Sequence, residues 1–235
     1  MKIKGIAEVF SSIQGEGLFV GEYQVFVRFT GCNLKCRYCD TRNLSSKDIS
    51  IKSLIRKINN LSADKKCHSV SITGGEPLVD TDNLKILLDV LRELKYKVYL
   101  ETNGSLPLNL KRVIRYINYL SMDIKLPSAA GLKRPLWDSH YSFLKVANKK
   151  LGKTKNLFVK VVITNNLKIT EFKKAITIIK KVNRKIPLIL QPVSPVNAVR
   201  KKAKGKNLIK LLKMAKCSLE NVLVIPQMHK ILGVK

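Results

Sequence analysis

The chain is short of acid. Sixteen Asp and Glu stand against 45 Lys and Arg, giving a net charge of +29 over 235 residues. Such an excess raises the question of a nucleic-acid or acidic partner. Aromatic residues are also scarce, at 6%, which leaves little for base stacking. Lysine greatly outnumbers arginine and is spread over predicted helix faces, as at Lys173, Lys174, Lys180 and Lys181. The densest run is VRKKAKGK at 199–206. We read the charge as compositional bias on a solvated surface and do not expect nucleic-acid binding. No apolar run approaches the ~18 residues of a membrane span, and MKIKGIAEVF lacks the core and cleavage site of a signal peptide. A soluble cytoplasmic protein is expected. The five cysteines do not pair evenly, and three sit within eight residues, which argues against a disulfide framework. Cys67 and Cys217 read as small core residues. No G-x-G-x-x-G follows the first strand, so a dinucleotide fold has no support.

What is present is an alternation of strand and helix periods. Candidate strands are 24–29, 69–73, 97–101, 119–124, 157–163, 187–191 and 221–225, short and read as apolar on both faces. Between them lie helical stripes: Ile51, Leu54, Ile55 and Ile58; Leu84, Leu87, Leu88 and Leu91, with Thr81 or Asp82 as N-cap; and Phe172, Ala175, Ile176 and Ile179. The pattern predicts an α/β fold with a parallel sheet of about six or seven strands, fewer than a full (β/α)8 barrel holds. A partial, incomplete TIM-type barrel is the expected architecture, with residues 1–235 as one domain. Ligands in such folds gather at the C-terminal ends of the strands. Six motifs rich in Gly, Pro and polar residues follow predicted strands: GCNLKCRYCDT (31–41), TGGEP (73–77), ETNG (101–104), DIKLP (123–127), QPVSP (191–195) and PQMHK (226–230).

Cys32, Cys36 and Cys39 form C-x3-C-x2-C with no nearby His. Thiolates suit zinc or an iron–sulfur cluster, but a structural zinc site is normally closed by a fourth ligand. Three thiolates can hold three irons of a cubane and leave the fourth open. This spacing, with Tyr38 before the last Cys and with TGGEP downstream, resembles the radical S-adenosylmethionine (SAM) superfamily. The resemblance implies that SAM fills the fourth place through its amino and carboxylate groups. The reduced cluster then breaks a C–S bond to give a 5′-deoxyadenosyl radical. The protein supplies placement and exclusion of water. Gly74 and Gly75 let backbone approach the cofactor. Glu76 orients the loop or accepts from the cofactor amine, and Glu101, Thr102, Asn103 and Gly104 suit ribose hydroxyls.

Residues 12–41, SIQGEGLFVGEYQVFVRFTGCNLKCRYCDT, and 224–233, VIPQMHKILG, resemble the 7-carboxy-7-deazaguanine synthase family, from about Val9 to the end of the chain. The family converts 6-carboxy-5,6,7,8-tetrahydropterin into 7-carboxy-7-deazaguanine with loss of ammonia. It uses a [4Fe-4S] cluster, SAM that is regenerated, and Mg2+. It forms homodimers, draws electrons from a donor such as flavodoxin or ferredoxin, and feeds queuosine and archaeosine synthesis for tRNA. The resemblance implies cluster ligation by Cys32, Cys36 and Cys39, and Mg2+ at Thr41, a hard oxygen site with few protein ligands. It implies substrate contacts at Ile13, Gln14, Gly15, Glu16, Arg28, Thr73 and Lys235. It implies SAM contacts at Tyr38, Cys39, Asp40, Gly75, Glu76, Glu101 and Asn103, at Asp123, Ile124 and Lys125, and at Gln191, Pro192, Val193 and Ser194. Arg28 on an apolar strand fits a carboxylate fork; a salt bridge to Glu8 or Glu16 is the alternative. His229 is a candidate acid–base group or a satisfied structural His.

Many family members carry Ser-Pro-Lys where this chain has Asp123, Ile124 and Lys125, so only the Lys matches by type. The stretch RNLSSKDIS after CDT is short, and five residues, ILGVK, follow Lys230. Two rivals differ in class. An activating enzyme for a glycyl-radical protein shares the cysteine and GGEP motifs but needs no small-substrate constellation. A basic cysteine-loop protein that binds nucleic acid would hold zinc and lose affinity steeply with salt.

Overall fold

The computed structural model describes residues 1–41, 44–63, 66–153, 156–195, 199 and 203–234. Among these, one sheet contains nine strands: β1 (Lys2–Ile13), β2 (Tyr23–Phe29), β3 (Lys47–Ser50), β4 (Ser69–Gly74), β5 (Val98–Thr102), β6 (Tyr119–Asp123), β7 (Leu157–Ile163), β8 (Leu188–Pro192) and β9 (Val222–Val224). Their order is β3-β1-β2-β4-β5-β6-β7-β8-β9. The seven expected strands are all present, and β2 and β4 through β9 run parallel. The sheet does not close, so the fold is a partial barrel with β3 and β9 at its edges.

Two strands were not anticipated. β1 pairs antiparallel with both β2 and β3. Its buried residues Ile3, Ile6 and Val9 are three apart, where a strand should repeat every two. Register shifts between Ile3 and Ile6 and between Ile6 and Glu8 reset the alternation and hide the strand. β3 is four residues long and mostly polar, as a short edge strand tends to be.

The helices are α1 (Ile51–Leu61), α2 (Thr81–Glu93), α3 (Pro107–Val113), α4 (Pro127–Ala130), α5 (Trp137–Leu151), α6 (Ile169–Asn183), α7 (Gly205–Lys216) and α8 (Met228–Leu232). The three expected stripes face the core: Leu54 and Ile58 of α1, Leu84, Leu87, Leu88 and Leu91 of α2, and Phe172, Ala175, Ile176 and Ile179 of α6. The α2 N-cap is Asp80, not Thr81 or Asp82. The Asp80 carboxylate accepts from the Asn83 amide at 3.1 Å, and Thr81 and Asp82 are already helical. In α5 the buried stripe contains His140, which interrupts the apolar period and conceals the helix. Cys67 packs half-buried against the core, as expected of a small apolar residue. Cys217 does not: it is exposed at the end of α7, where its thiol donates to the Lys213 carbonyl.

The strands are not apolar on both faces. Residues such as Val27, Ile72, Leu100, Leu120, Val159 and Leu190 point outward and pack against the helices. The alternate positions face inward. Low on that inner face Tyr99, Phe158 and Ile189 form a small apolar plug with Phe19 and Tyr119. Higher up it carries Arg28, Thr73, Glu101, Asp123, Lys160 and Gln191. Period-two alternation therefore separates a dry outer core from a polar inner rim, and the rim sits where the six motifs converge. Asp80→Ala removes the cap of α2 and is expected to lower stability by about 1 kcal/mol, read as a lower urea midpoint at unchanged slope.

Candidate active site

The cysteine loop leaves β2 and meets the turn that leaves β4. The Gly75 amide donates to the Phe29 carbonyl at 2.9 Å and the Glu76 amide to the Gly31 carbonyl at 2.8 Å. Gly74 has φ +126°, and a Cβ on Gly75 would overlap the Gly31 carbonyl, so both glycines are sterically required. Glu76 is 2% exposed. Its carboxylate accepts from the Leu78 amide, the Thr102 hydroxyl and the Asn103 amide at 3.1, 2.8 and 2.7 Å, tying the turn to the end of β5. Burial pushes the Glu76 carboxyl up to about 7 against those three donors. The loop is also held by Asn33, which accepts from Asn103 at 2.9 Å and donates to Ser105 at 2.8 Å. At its far side the Arg37 amide donates to the Ala130 carbonyl.

These contacts set the three cysteines on the wall of one cavity of about 260 Å³. Burial pushes the Cys32 and Cys36 thiols up, while the Lys125 ammonium pulls both down. Lys125 also pairs with Asp123 at 2.6 Å and lies 5.3 Å from the Tyr38 ring centre. Among the described residues, no three His, Cys, Asp or Glu side chains converge closely enough to hold a single ion. A cubane spreads its thiolates over separate irons, so wider spacing suits a cluster better than one zinc.

Across the cavity stands the turn after β1. The Gln14 side chain donates to Glu101 and Gln24, each at 3.0 Å, and its carbonyl accepts from the Glu16 amide at 3.0 Å. Thr73 donates to the other Glu101 oxygen at 3.3 Å. Burial pushes the Glu101 carboxyl up. The Glu16 carboxylate pairs with Lys160 and accepts from Gln227 at 2.8 Å. Burial drives Glu16 up, but the Lys160 charge and the bonds from Lys160 and Gln227 prevail and hold it down to about 2. The C-terminal segment closes this side. Met228 donates its amide to the Gly15 carbonyl at 2.9 Å, a Cβ on Gly15 would meet the His229 ring, and Lys230 pairs with Asp40 at 2.7 Å. Burial lowers the His229 pKa, which favours neutral imidazole.

Residues 26–150 match the model of the radical SAM superfamily. The chain is 39% identical to a 7-carboxy-7-deazaguanine synthase of Geobacter sulfurreducens, covering 97% of this chain and 96% of that one. It is 36% identical to one of Methanothermobacter thermautotrophicus, covering 98% and 97%. The chain belongs to the 7-carboxy-7-deazaguanine synthase family of radical SAM proteins. Its fold is also similar to a crystal structure of QueE from Escherichia coli, with a TM-score of 0.63 at 18% identity over 96% of this chain and 94% of that one. Streptococcus suis SuiB, solved with S-adenosylmethionine bound, has a TM-score of 0.60 at 20% identity over 83% of this chain and 48% of that one. Membership implies a [4Fe-4S] cluster and SAM. The cavity fits them: three cysteine sulfurs face one space, and the buried Gln191 carbonyl oxygen on its wall has no partner among the described residues.

Most expected site residues line this cavity, including Ile13, Gln14, Gly15, Glu16, Arg28, Tyr38, Asp40, Thr41, Thr73, Gly75, Glu101, Asn103, Asp123, Lys125, Gln191 and His229. Thr41 lies 3.7 Å from the Cys39 sulfur. Arg28 makes the alternative salt bridge, to Glu8 at 3.1 Å, and its guanidinium stacks over Phe10 while facing the cavity. Glu76, Ile124, Pro192, Val193 and Ser194 do not line it. Glu76 is spent on the turn, and Ile124 is 1% exposed in the outer core. Lys235 lies outside the described residues. Sequence reasoning missed Lys160 and Gln227. Lys160 is the lone charge in LFVKVVI and lies on the same strand face as Phe158 and Val162, a signal that inward alternation would have exposed.

His140 supports the ETNG turn from below. It is fully buried, and its Nε2–H donates to the Asn103 carbonyl at 3.2 Å, leaving Nδ1 without a partner among the described residues. Burial lowers its pKa from 6.5 to about 4. The neutral ring therefore contributes stability that is full above pH 6.5 and fades as pH falls toward 4. Between pH 7 and pH 5 the wild type should lose about 2 kcal/mol more than His140→Gln in urea unfolding. Gly75→Ala forces the Gly31 carbonyl aside and should cost about 2 kcal/mol or more in the same assay.

Proposed function

We propose that the chain is a carbon–nitrogen lyase that contracts the ring of 6-carboxy-5,6,7,8-tetrahydropterin to 7-carboxy-7-deazaguanine and releases ammonia. The observation that carries this reading is the joint enclosure of a three-cysteine loop and the Gln14–Glu16 turn in one cavity. Radical chemistry and small-molecule recognition then share one space.

In this reading Cys32, Cys36 and Cys39 hold the cluster, and Thr41 supplies an oxygen to Mg2+. When bound, the cluster and SAM supply one-electron chemistry that takes a hydrogen from the substrate and returns it. The chain's residues bind, orient and exclude water. Tyr38, Asp40, Gly75, Asn103, Asp123, Lys125 and Gln191 face SAM. Glu76 and Val193 act behind that layer, Glu76 by fixing the turn. Gln14, Glu16, Arg28 and Thr73 face the pterin. Arg28 is placed to exchange Glu8 for the substrate carboxylate. Neutral His229 sits against Gly15, suited to accept a proton. The Gln227–Glu16 and Lys230–Asp40 ties draw the C-terminal segment over the opening, which suits a small substrate better than a glycyl-radical protein.

We further propose that residues 1–235 act as one cytoplasmic domain. The enzyme works as a homodimer, fed electrons by a flavodoxin or ferredoxin, and its product serves 7-deazapurine modification of tRNA. The test is anaerobic reconstitution with the pterin, SAM, Mg2+ and a reductant, read by mass spectrometry. Product should form with the wild type and fall below detection with Cys36→Ala. Accumulation of 5′-deoxyadenosine without product would overturn the substrate assignment.

A further inference from the structure

Lys160 is a cation without an assigned task. It stands on β7 at 6% exposure, an expensive place for an ammonium. Its Nζ pairs with Glu16 and lies 3.7 Å from Asp123 Oδ1, whose other oxygen is held by Lys125. Glu101 shares the same floor, joined to Glu16 through Gln14. His229 faces Glu16 from α8, so three carboxylates and two lysines meet where β5, β6 and β7 end. A buried ion pair rarely improves stability over an apolar pair, so its presence needs another reason. The register supplies one. Asp123 and Lys160 are neighbours across β6 and β7, while Glu16 comes from a loop with no strand to fix its side chain. Among the described residues, Lys160 and Gln227 hold that carboxylate.

We propose that Lys160 is a positioning residue for the pterin, acting through Glu16 by holding its carboxylate in one orientation as an acceptor for substrate N–H groups. The pyrimidine edge of a pterin carries amino and ring N–H donors, and an ionised carboxylate is the matching acceptor. Without Lys160 the Glu16 carboxylate loses its cation while Glu101 and Asp123 remain beside it, so it turns away or takes a proton. This proposal rests on the substrate assignment above.

The experiment measures binding of 6-carboxypterin, the unreactive oxidised form of the substrate, to the cluster-loaded enzyme with SAM present, by anaerobic calorimetry. Glu16→Gln and Lys160→Met should each weaken binding by about tenfold or more. The double variant should bind no worse than Glu16→Gln alone, because the two act as a unit. Lys160→Arg should restore most of the affinity. Lys160→Gln gives the same reading if the Met variant does not fold. Wild-type affinity in Lys160→Met, or additive losses in the double variant, would overturn the proposal and leave the substrate assignment standing. A wild-type enzyme that fails to bind the pterin would overturn both.

Discussion

Parallel pairing of β2 with β4 brings the Gly31 carbonyl so close to Gly75 that no side chain fits between them. The ladder continues past the strand ends, through the Gly75 and Glu76 amides, into the cysteine loop itself. Much of the site follows from that junction. Because the turn at Gly74 and Gly75 is fixed, Glu76 points back under it and gathers donors from β5. Because Asn103 is then fixed, its side chain can reach Asn33 and the Cys32 sulfur. A loop of eleven residues with three thiols is thereby anchored by backbone geometry before any cofactor binds.

The second organising feature is the separation of charge. The surface carries a large excess of lysine, whereas the cavity floor sets Glu16, Glu101 and Asp123 against Lys125 and Lys160. Screening by water makes single surface charges nearly neutral in their effect. Inside, each charge is worth far more, and losing one partner strands the other. The inner rim therefore trades stability for fixed electrostatics, while the outer face of the same strands provides the apolar core. That division lets one thin sheet do both.

Much of this was legible in the sequence. β-branched runs gave the seven parallel strands, helical spacing of apolar residues gave α1, α2 and α6, and the six rim motifs fell where strands end. What escaped had physical causes. Bulges in β1 broke its alternation, and a buried His masked the stripe of α5. The inward faces were misread because Tyr99, Phe158 and Ile189 are apolar near the base, which hides the polar positions two residues further along. Lys160 was lost in that misreading, as one lysine among many. The Gln227–Glu16 contact joins residues 211 apart, and no local pattern announces it. Glu76 was left between orienting the loop and accepting from the cofactor amine, and its bonds, to backbone amides and Thr102, match the first.

The most direct test of the account is whether the three-cysteine loop leaves one iron open to the cavity. The reduced, cluster-loaded protein would be saturated with SAM labelled isotopically at its amino nitrogen and measured by electron–nuclear double resonance. The account predicts a resolved coupling between the cluster and the labelled nitrogen. A cluster spectrum indifferent to SAM, at saturation, would contradict it.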